Sequence, residues 1–329
     1  MRDKLGRRIT YLRLSVTDRC NLRCRYCSPS TDFRHLPRAE ILSYEEMERI
    51  VSLCASRGIG KVRLTGGEPL MRRGVIRFAA RLAALPGIHT LAMSTNGTLL
   101  APAASRLAEA GVRRLNVSVD TLDRRQFTAL AGRDALADVL AGVDAALAAG
   151  LESVKINSVI LRGFNESQIV PLAGLTLSRP LQLRFIERMP LQPGDRGGGN
   201  DGGQEGFVSC DEVVDVLRKR FRMREAARGA TLSRRFIIDG HAGEIGIIAP
   251  MSKNFCLDCN RLRLTADGQL RPCLFSEAEI DLRGSMRDGA SDAEILELIG
   301  QAVAAKPASH PYSVESSCSP ARPMRQIGG

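Results

Sequence analysis

The sequence predicts an α/β fold, a partial (β/α)6 TIM-type barrel with an appended C-terminal region. Three observations point there. Short β-branched or leucine-rich runs alternate with amphipathic helical stretches up to about residue 190. Roughly six such units are present, too few to close an eight-stranded barrel, so the sheet stays open on one side with ligands at the carboxyl ends of its strands. The run GDRGGGNDGGQEG at 194–206 then breaks the alternation, being polar and glycine-rich with no apolar face to bury.

The strands are read, in order, as Tyr11 to Val16, Val62 to Thr65, Leu91 to Ser94, Leu115 to Val119, Val154 to Ile160 and Gln182 to Ile186. Between them, Tyr44 to Arg57, Val75 to Ala84, Pro102 to Ala110, Asp134 to Ala149 and Glu166 to Leu177 carry helical periodicity. These elements place the barrel at 1–193, a flexible insertion at 194–206 and a second region at 207–329. In that region Ser209 and Glu212 form a capping box for a helix Asp211 to Arg220, and Arg235 to Ile238 and Glu244 to Ala249 read as strands. Asp267-Gly268 marks the turn of a later hairpin.

With 329 residues and 44% hydrophobic content, the chain has enough apolar material for one large core and an appended unit. It shows no apolar run of membrane-spanning length and no secretory signal pattern at MRDKLGRRIT, which points to the cytoplasm. The net charge of +11 suits nucleic acid, a membrane surface or a phosphorylated small molecule. Aromatic residues are only 4% and Trp is absent, so stacking platforms for single-stranded nucleic acid are scarce and a phosphate-bearing small substrate is favoured.

Nine cysteines in such a chain argue for metal ligation over disulfides. Cys20, Cys24 and Cys27 in CNLRCRYC supply three thiolates, one fewer than closes a structural zinc site, and leave a coordination position open for chemistry. A zinc knuckle completed by a distant fourth ligand, or by the nearby His35, is the competing reading. Cys256, Cys259 and Cys273 form a second group, a CxxC and a single cysteine across the predicted hairpin, again with three thiolates. KVRLTGGEPL joins a buried strand, Val62 to Thr65, to Gly66 and Gly67, which let backbone approach a ligand without a Cβ in the way. Cys54 and Cys210 read as structural thiols and Cys318 as a passive exposed one.

The CxxxCxxC spacing and the GGE segment resemble the radical S-adenosylmethionine (SAM) superfamily. Within it the chain resembles the GTP 3′,8-cyclase family over nearly its whole length, through GRRITYLRLSVTDRCNLRCRYC, RLTGGEPLMRR, STNGTLL, LNVSVDTL, VKINSVI, LRFIERMP, the second cysteine segment and a terminal IGG. That resemblance implies two [4Fe-4S] clusters, the second carried by the C-terminal extension, with SAM as cosubstrate. The implied reaction takes hydrogen from ribose C3′ of GTP with a 5′-deoxyadenosyl radical and joins that carbon to guanine C8, the first step towards the molybdenum cofactor.

By the same resemblance, Cys20, Cys24 and Cys27 ligate the SAM cluster, and Tyr26, Gly67, Ser118 and Met189 line the SAM pocket. Cys256, Cys259 and Cys273 ligate the second cluster, which orients guanine. Arg13, Arg63, Ser94, Lys155, Arg261 and Arg263 contact GTP, with Lys61 and Arg184 as weaker members of the set. Gly328 and Gly329, after Ile327, form a catalytic tail that enters the active site. The chain lacks a GxxxxGK[ST] loop, so the triphosphate must be held by side chains, for which forked guanidinium groups are suited. Period-two alternation puts Lys61 with Arg63, and Arg261 with Arg263, on one face of a strand each.

Ser28 stands where the family commonly has methionine, Ser94 where it has threonine, and the insertion after Met189 is longer than the family's. The implied partners are GTP, an external electron donor and a transient encounter with the cyclic pyranopterin monophosphate synthase that consumes the unstable product. Nucleic acid and membrane are not expected, and both monomer and homodimer are compatible with the sequence. Two rival functions remain at this level: a radical SAM enzyme acting on RNA or a peptide, and a zinc-stabilised nucleic-acid binding module.

Overall fold

The computed structural model describes residues 1–27, 34–190, 206–227, 233–253, 255–310 and 322–328. Six strands run side by side in chain order: β1 (Tyr11–Ser15), β2 (Lys61–Thr65), β3 (Thr90–Thr95), β4 (Val112–Ser118), β5 (Ser153–Val159) and β6 (Gln182–Ile186). Each neighbouring pair is parallel. The crossovers that parallel pairing demands contain α1 (Tyr44–Ser56), α2 (Val75–Ala83), α3 (Ala104–Glu109), α4 (Arg124–Ala131), α5 (Leu136–Ala148) and α6 (Ile169–Gly174).

Residue period decides which side is core. In β1, Leu12 and Leu14 are fully buried in the same apolar cluster as Met47, Ile50 and Phe78 of the helical layer, and Val62 and Leu64 of β2 join them. Tyr11, Arg13 and Ser15 therefore take the opposite face. Cys54 lies within this cluster, as a structural thiol should.

Among the helices of the six-stranded unit, one escaped the sequence reading. α4 is entered through Asp123, whose side chain accepts from the Gln126 amide, and ends at Gly132 in the left-handed region, φ 70°. Only Phe127, Leu130 and Ala131 of RRQFTALA are buried, so the signal lay in its caps more than in an apolar stripe.

The C-terminal extension contributes α7 (Cys210–Arg220), β7 (Met223–Glu225), β8 (Arg234–Ile238), β9 (Glu244–Ile248), β10 (Arg261–Leu264), β11 (Gln269–Arg271), β12 (Ile280–Asp281), α8 (Leu282–Arg287), α9 (Asp292–Ala304) and α10 (Met324–Ile327). The Ser209–Glu212 capping box opens α7 as expected. The Asp267-Gly268 turn joins antiparallel β10 and β11, with Gly268 at φ 85°.

Strands of the extension reach both edges of the six-stranded unit. β10 pairs in parallel with β1, and β9 pairs in parallel with β6. Because β9 and β10 both run parallel to the barrel strands, the chain between them must travel from the carboxyl end of one to the amino end of the other. That crossing carries Cys256 and Cys259. Residues 194–205 of the glycine-rich insertion, Ser28, Cys318 and Gly329 lie outside the described residues.

Candidate active site

A barrel of this type ordinarily fills its interior with branched apolar side chains. Here that face is cationic. Arg13 of β1 is in register with Arg263 of β10 on one side and Arg63 of β2 on the other, so three arginines stand abreast on neighbouring strands roughly 4.8 Å apart. One step towards the amino ends, Tyr11 occupies the same central place between Arg261 and Lys61. Lys155 of β5 is in register with Asn116 and Gln182, and Arg184 of β6 follows one step on, beside Asn157.

The hydrogen bonds of these cations go to neutral acceptors. Arg63 donates to the Tyr11 hydroxyl at 2.5 Å, to the Met93 carbonyl at 2.9 Å and to Ser94 Oγ at 3.4 Å. Arg184 donates to Gln182 Oε1 at 2.6 Å, and Arg263 to the Gly328 carbonyl at 2.5 Å. Arg13 Nε, Arg261 Nε, Asn116 Oδ1 and Asn157 Oδ1 are buried with no protein hydrogen bond. Buried polar atoms left in this state on one face are what a polar ligand satisfies.

Their acidities report the same crowding. Burial, and then the nearby Arg184, Arg63, Arg114 and Lys61, depress Lys155 to about 7. Burial, followed by Arg63 and Arg261, brings Arg184 to about 10, and burial with Arg261 does the same for Arg263. Arg13 is also lowered, by burial and then by Arg263. Burial alone would raise the Tyr11 phenol, but Arg63, Arg13, Arg261 and Lys61 outweigh it and bring it to about 7. Each shift is one that a bound polyanion reverses.

The first cysteine segment follows the carboxyl end of β1. Cys20, Cys24 and Cys27 are partly exposed free thiols that feel one another electrostatically. Burial is the main reason each is raised, to about 11 for Cys27. Asn96 Nδ2 lies 3.6 Å from Cys20 Sγ and also donates to Asn21 Oδ1 at 2.9 Å. Tyr26 donates to Asp120 Oδ2 at 2.6 Å, and Asp120 also accepts from the Val159 amide at 2.8 Å, so the loop is tied to the carboxyl ends of β4 and β5.

The two glycines also pack closely against protein backbone. A Cβ on Gly67 would stand 2.3 Å from the Arg19 carbonyl oxygen, and one on Gly66, at φ 148°, would stand 2.5 Å from that of Thr17. The close approach is thus between this turn and the lead-in to the cysteines, with Gly67 N donating to Thr17 O at 2.8 Å. Glu68 fixes the turn from beneath, accepting from Asn96 N at 2.6 Å, Thr95 Oγ1 at 2.8 Å and Leu70 N at 3.0 Å.

Ser118 is the exposed last residue of β4, in register with Asn157. Met189, three residues past β6, packs with Met324 and Cys273 against Phe207, Met251 and Phe275.

The second cysteine group lies at the other end of the strands. Cys259 is two residues before β10 begins, and Cys273 two residues after antiparallel β11 ends. Both positions are at the amino end of β1, so the arginine row lies between the two triads. Cys256 senses Cys273 and Cys259, and burial raises it. At Cys259 burial is outweighed by Lys306 and Arg261, which lower the thiol. Arg7 steadies this loop by donating to the Cys256 carbonyl at 2.7 Å, and Lys306 Nζ donates to the Arg261 and Pro272 carbonyls at 2.8 Å each.

Each cysteine group supplies three free thiols. Among the described residues no three His, Cys, Asp or Glu side chains converge closely enough to hold one metal ion. His35, the proposed completion of a zinc knuckle, faces Asp18 at 3.4 Å. Three thiolates leave one iron of a [4Fe-4S] core open, and the donor set of the first group fits such a cluster.

The chain tail is also at the site. Ile327 is buried, and Gly328, at φ 87°, lies so close to β1 and β2 that a Cβ would approach Thr65 Oγ1 to 2.7 Å and Ser15 Cβ to 3.0 Å. A separate cavity of about 680 Å³, lined by residues including Thr17, Arg38, Tyr44 and Arg72, contains none of the predicted site residues.

Comparison with known proteins decides the family. Residues 14–175 match the model described as the Radical SAM superfamily, and residues 181–312 match Molybdenum Cofactor Synthesis C. The chain is 45% identical over 332 residues to the GTP 3′,8-cyclase of Pelotomaculum thermopropionicum, with both chains covered completely. The chain belongs to the GTP 3′,8-cyclase family. Another member, the mitochondrial GTP 3′,8-cyclase of Arabidopsis thaliana, is 41% identical and covers 99% of this chain and 83% of its own. The fold is shared with Streptococcus suis SuiB bound to S-adenosylmethionine, at 13% identity, TM-score 0.56, and coverage of 94% of this chain and 77% of that one. No helix among the described residues is long and apolar enough to cross a membrane.

As a GTP 3′,8-cyclase-family member, the chain is a radical SAM enzyme of molybdenum cofactor biosynthesis, and that superfamily implies a [4Fe-4S] cluster and SAM. The sequence reading missed Tyr11, Asn116, Asn157, Lys306 and Arg325 as site-facing groups. Alternation in LNVS would have flagged Asn116, whereas Lys306 and Arg325 resemble ordinary surface cations until the fold buries them.

Proposed function

We propose that the cationic interior face holds the triphosphate of GTP between the two cysteine triads, and that the chain cyclises it by joining ribose C3′ to guanine C8. The observation carrying this reading is the Arg263–Arg13–Arg63 row, three like charges abreast at mid-height between the triads, with Arg63 bonded to Tyr11, Ser94 and a carbonyl and Arg263 to the Gly328 carbonyl. Cys20, Cys24 and Cys27 would hold a [4Fe-4S] cluster, and Cys256, Cys259 and Cys273 a second one. When bound, the first cluster and SAM supply the 5′-deoxyadenosyl radical.

The protein's own part is placement. Arg13, Arg63 and Arg263 bind phosphate oxygens through forked donors, with Arg261, Lys61, Lys155 and Arg184 completing the rim. Ser94 and Tyr11 hold the Arg63 fork. Anchoring the phosphates and guanine at fixed points presents C3′ towards the first triad, which matters because a primary carbon radical takes whichever hydrogen it meets. Tyr26, Gly67, Ser118 and Met189 frame the SAM side, and Gly328 with Gly329 closes it. Anchoring of GTP is tested by calorimetry of the anaerobic, reconstituted protein: Arg13→Gln and Arg63→Gln each weaken GTP binding at least tenfold while SAM binding is unchanged. Loss of SAM binding instead would contradict the assignment.

A further inference from the structure

Arg325 lies in the four-residue α10, beside the chain end, and has the sequence appearance of a solvated tail arginine. The fold buries it. Its flanking apolar neighbours Met324 and Ile327 dock on one side of the turn, Met324 against Phe207, Met251 and Phe275, and Ile327 fully out of solvent. The guanidinium Nη2 donates to the carbonyl oxygen of Leu22 at 3.3 Å. Leu22 sits between Cys20 and Cys24, so the charge is lodged inside the first cysteine loop.

We infer that Arg325 is the built-in counter-cation of the first cluster, so that docking of the C-terminal tail sets how readily that cluster accepts its electron. This rests on the cluster reading above. Reduction takes one electron from an external one-electron donor and makes the ligated centre more negative by one charge. A fixed positive charge in a buried, weakly screened place favours the more negative state. Asn96, which donates to Cys20, acts in the same direction but is neutral. Arg325 is therefore a positioning and tuning residue, not one that touches substrate, and a tail that has left its groove leaves the cluster harder to reduce. In that way the electron is received most readily when the site is closed.

The test is an anaerobic redox titration of the reconstituted full chain followed by electron paramagnetic resonance, using the signal that changes on SAM addition to identify the first cluster. At a fixed solution potential, Arg325→Gln lowers the ratio of reduced to oxidised cluster about tenfold, a midpoint about 59 mV more negative for one electron. Arg325→Lys, which keeps the charge, stays within about threefold of wild type. A chain ending at residue 321 lacks the cation without needing a seated tail, and its midpoint falls with that of Arg325→Gln. An unmoved midpoint in either charge-deficient protein overturns the inference, as does an Arg325→Lys shift equal to that of Arg325→Gln, which would make the effect steric. Failure of wild type to bind any cluster would instead strike the cofactor reading, so the two failures are distinguishable by iron content.

Discussion

Arg263 donates from Nη1 to the carbonyl oxygen of Gly328 at 2.5 Å. A member of the arginine row thus grips the end of the chain, and the tail and the phosphate site share one residue. Because Gly328 combines φ 87° with a Cβ position 2.7 Å from Thr65 Oγ1, Gly328→Ala cannot seat the tail without displacement. We expect cyclised product from GTP reduced at least tenfold, with 5′-deoxyadenosine reduced as well if the displaced tail carries Arg325 away from the first cysteine loop. Both are read from one quenched reaction by mass spectrometry, and full cyclisation by the variant would refute the tail's role.

Removing the central charge of the row trades binding for stability. Arg13 is flanked by Arg263 and Arg63, so Arg13→Gln relieves repulsion in the empty protein and raises Tm by about 2–4 °C, equivalent to roughly 1 kcal/mol. Inorganic tripolyphosphate, a probe for the phosphate site alone, raises the wild-type Tm but raises that of Arg13→Gln much less. A variant destabilised without ligand would mean that Arg13 is a structural cation.

Lys155 gives a pH signature with a definite sign. Above about 7 its folded form has lost the proton that the unfolded chain keeps until near 10.5, so the unfolded state binds more protons and stability rises with pH across that interval. Lys155→Met abolishes this contribution, and the stability of wild type relative to the variant should increase between pH 7 and 8.5 in denaturant titrations. GTP restores the lysine's charge, so binding takes up protons above pH 7 and weakens as pH rises. Calorimetry in buffers of different ionisation enthalpy measures that uptake; its absence would count against contact between Lys155 and phosphate.

The second triad is separable from the first. Cys273→Ala is expected to lose about half of the bound iron after reconstitution and to weaken GTP binding, while SAM still binds the remaining cluster. Iron analysis and SAM calorimetry decide this, and undiminished iron would show that Cys273 is not a ligand.

What could be read in the sequence was local or carried by spacing. Both triads, the paired faces of Lys61 with Arg63 and Arg261 with Arg263, and the capping box at Ser209 needed only the linear pattern. The three-abreast arrangement of Arg263, Arg13 and Arg63 needed more, because it depends on β10 joining β1 across about 250 residues of chain. No periodicity encodes such a pairing. Tyr11 was hidden for the same reason: its neighbours Arg261 and Lys61 come from two other strands. Gly66 and Gly67 were recognised as sites of close approach, and within the chain they abut the carbonyls of Thr17 and Arg19. Arg325 became visible only when the tail was seen to fold back onto Leu22.

The most direct measurement is anaerobic turnover of the reconstituted protein with SAM and dithionite, comparing GTP with ATP and quantifying 5′-deoxyadenosine and cyclised nucleotide. The structure predicts 5′-deoxyadenosine accompanied by a 3′,8-cyclised product from GTP and no cyclised product from ATP. SAM cleavage by a fully loaded protein that never cyclises GTP would contradict it and return the RNA or peptide substrate to consideration.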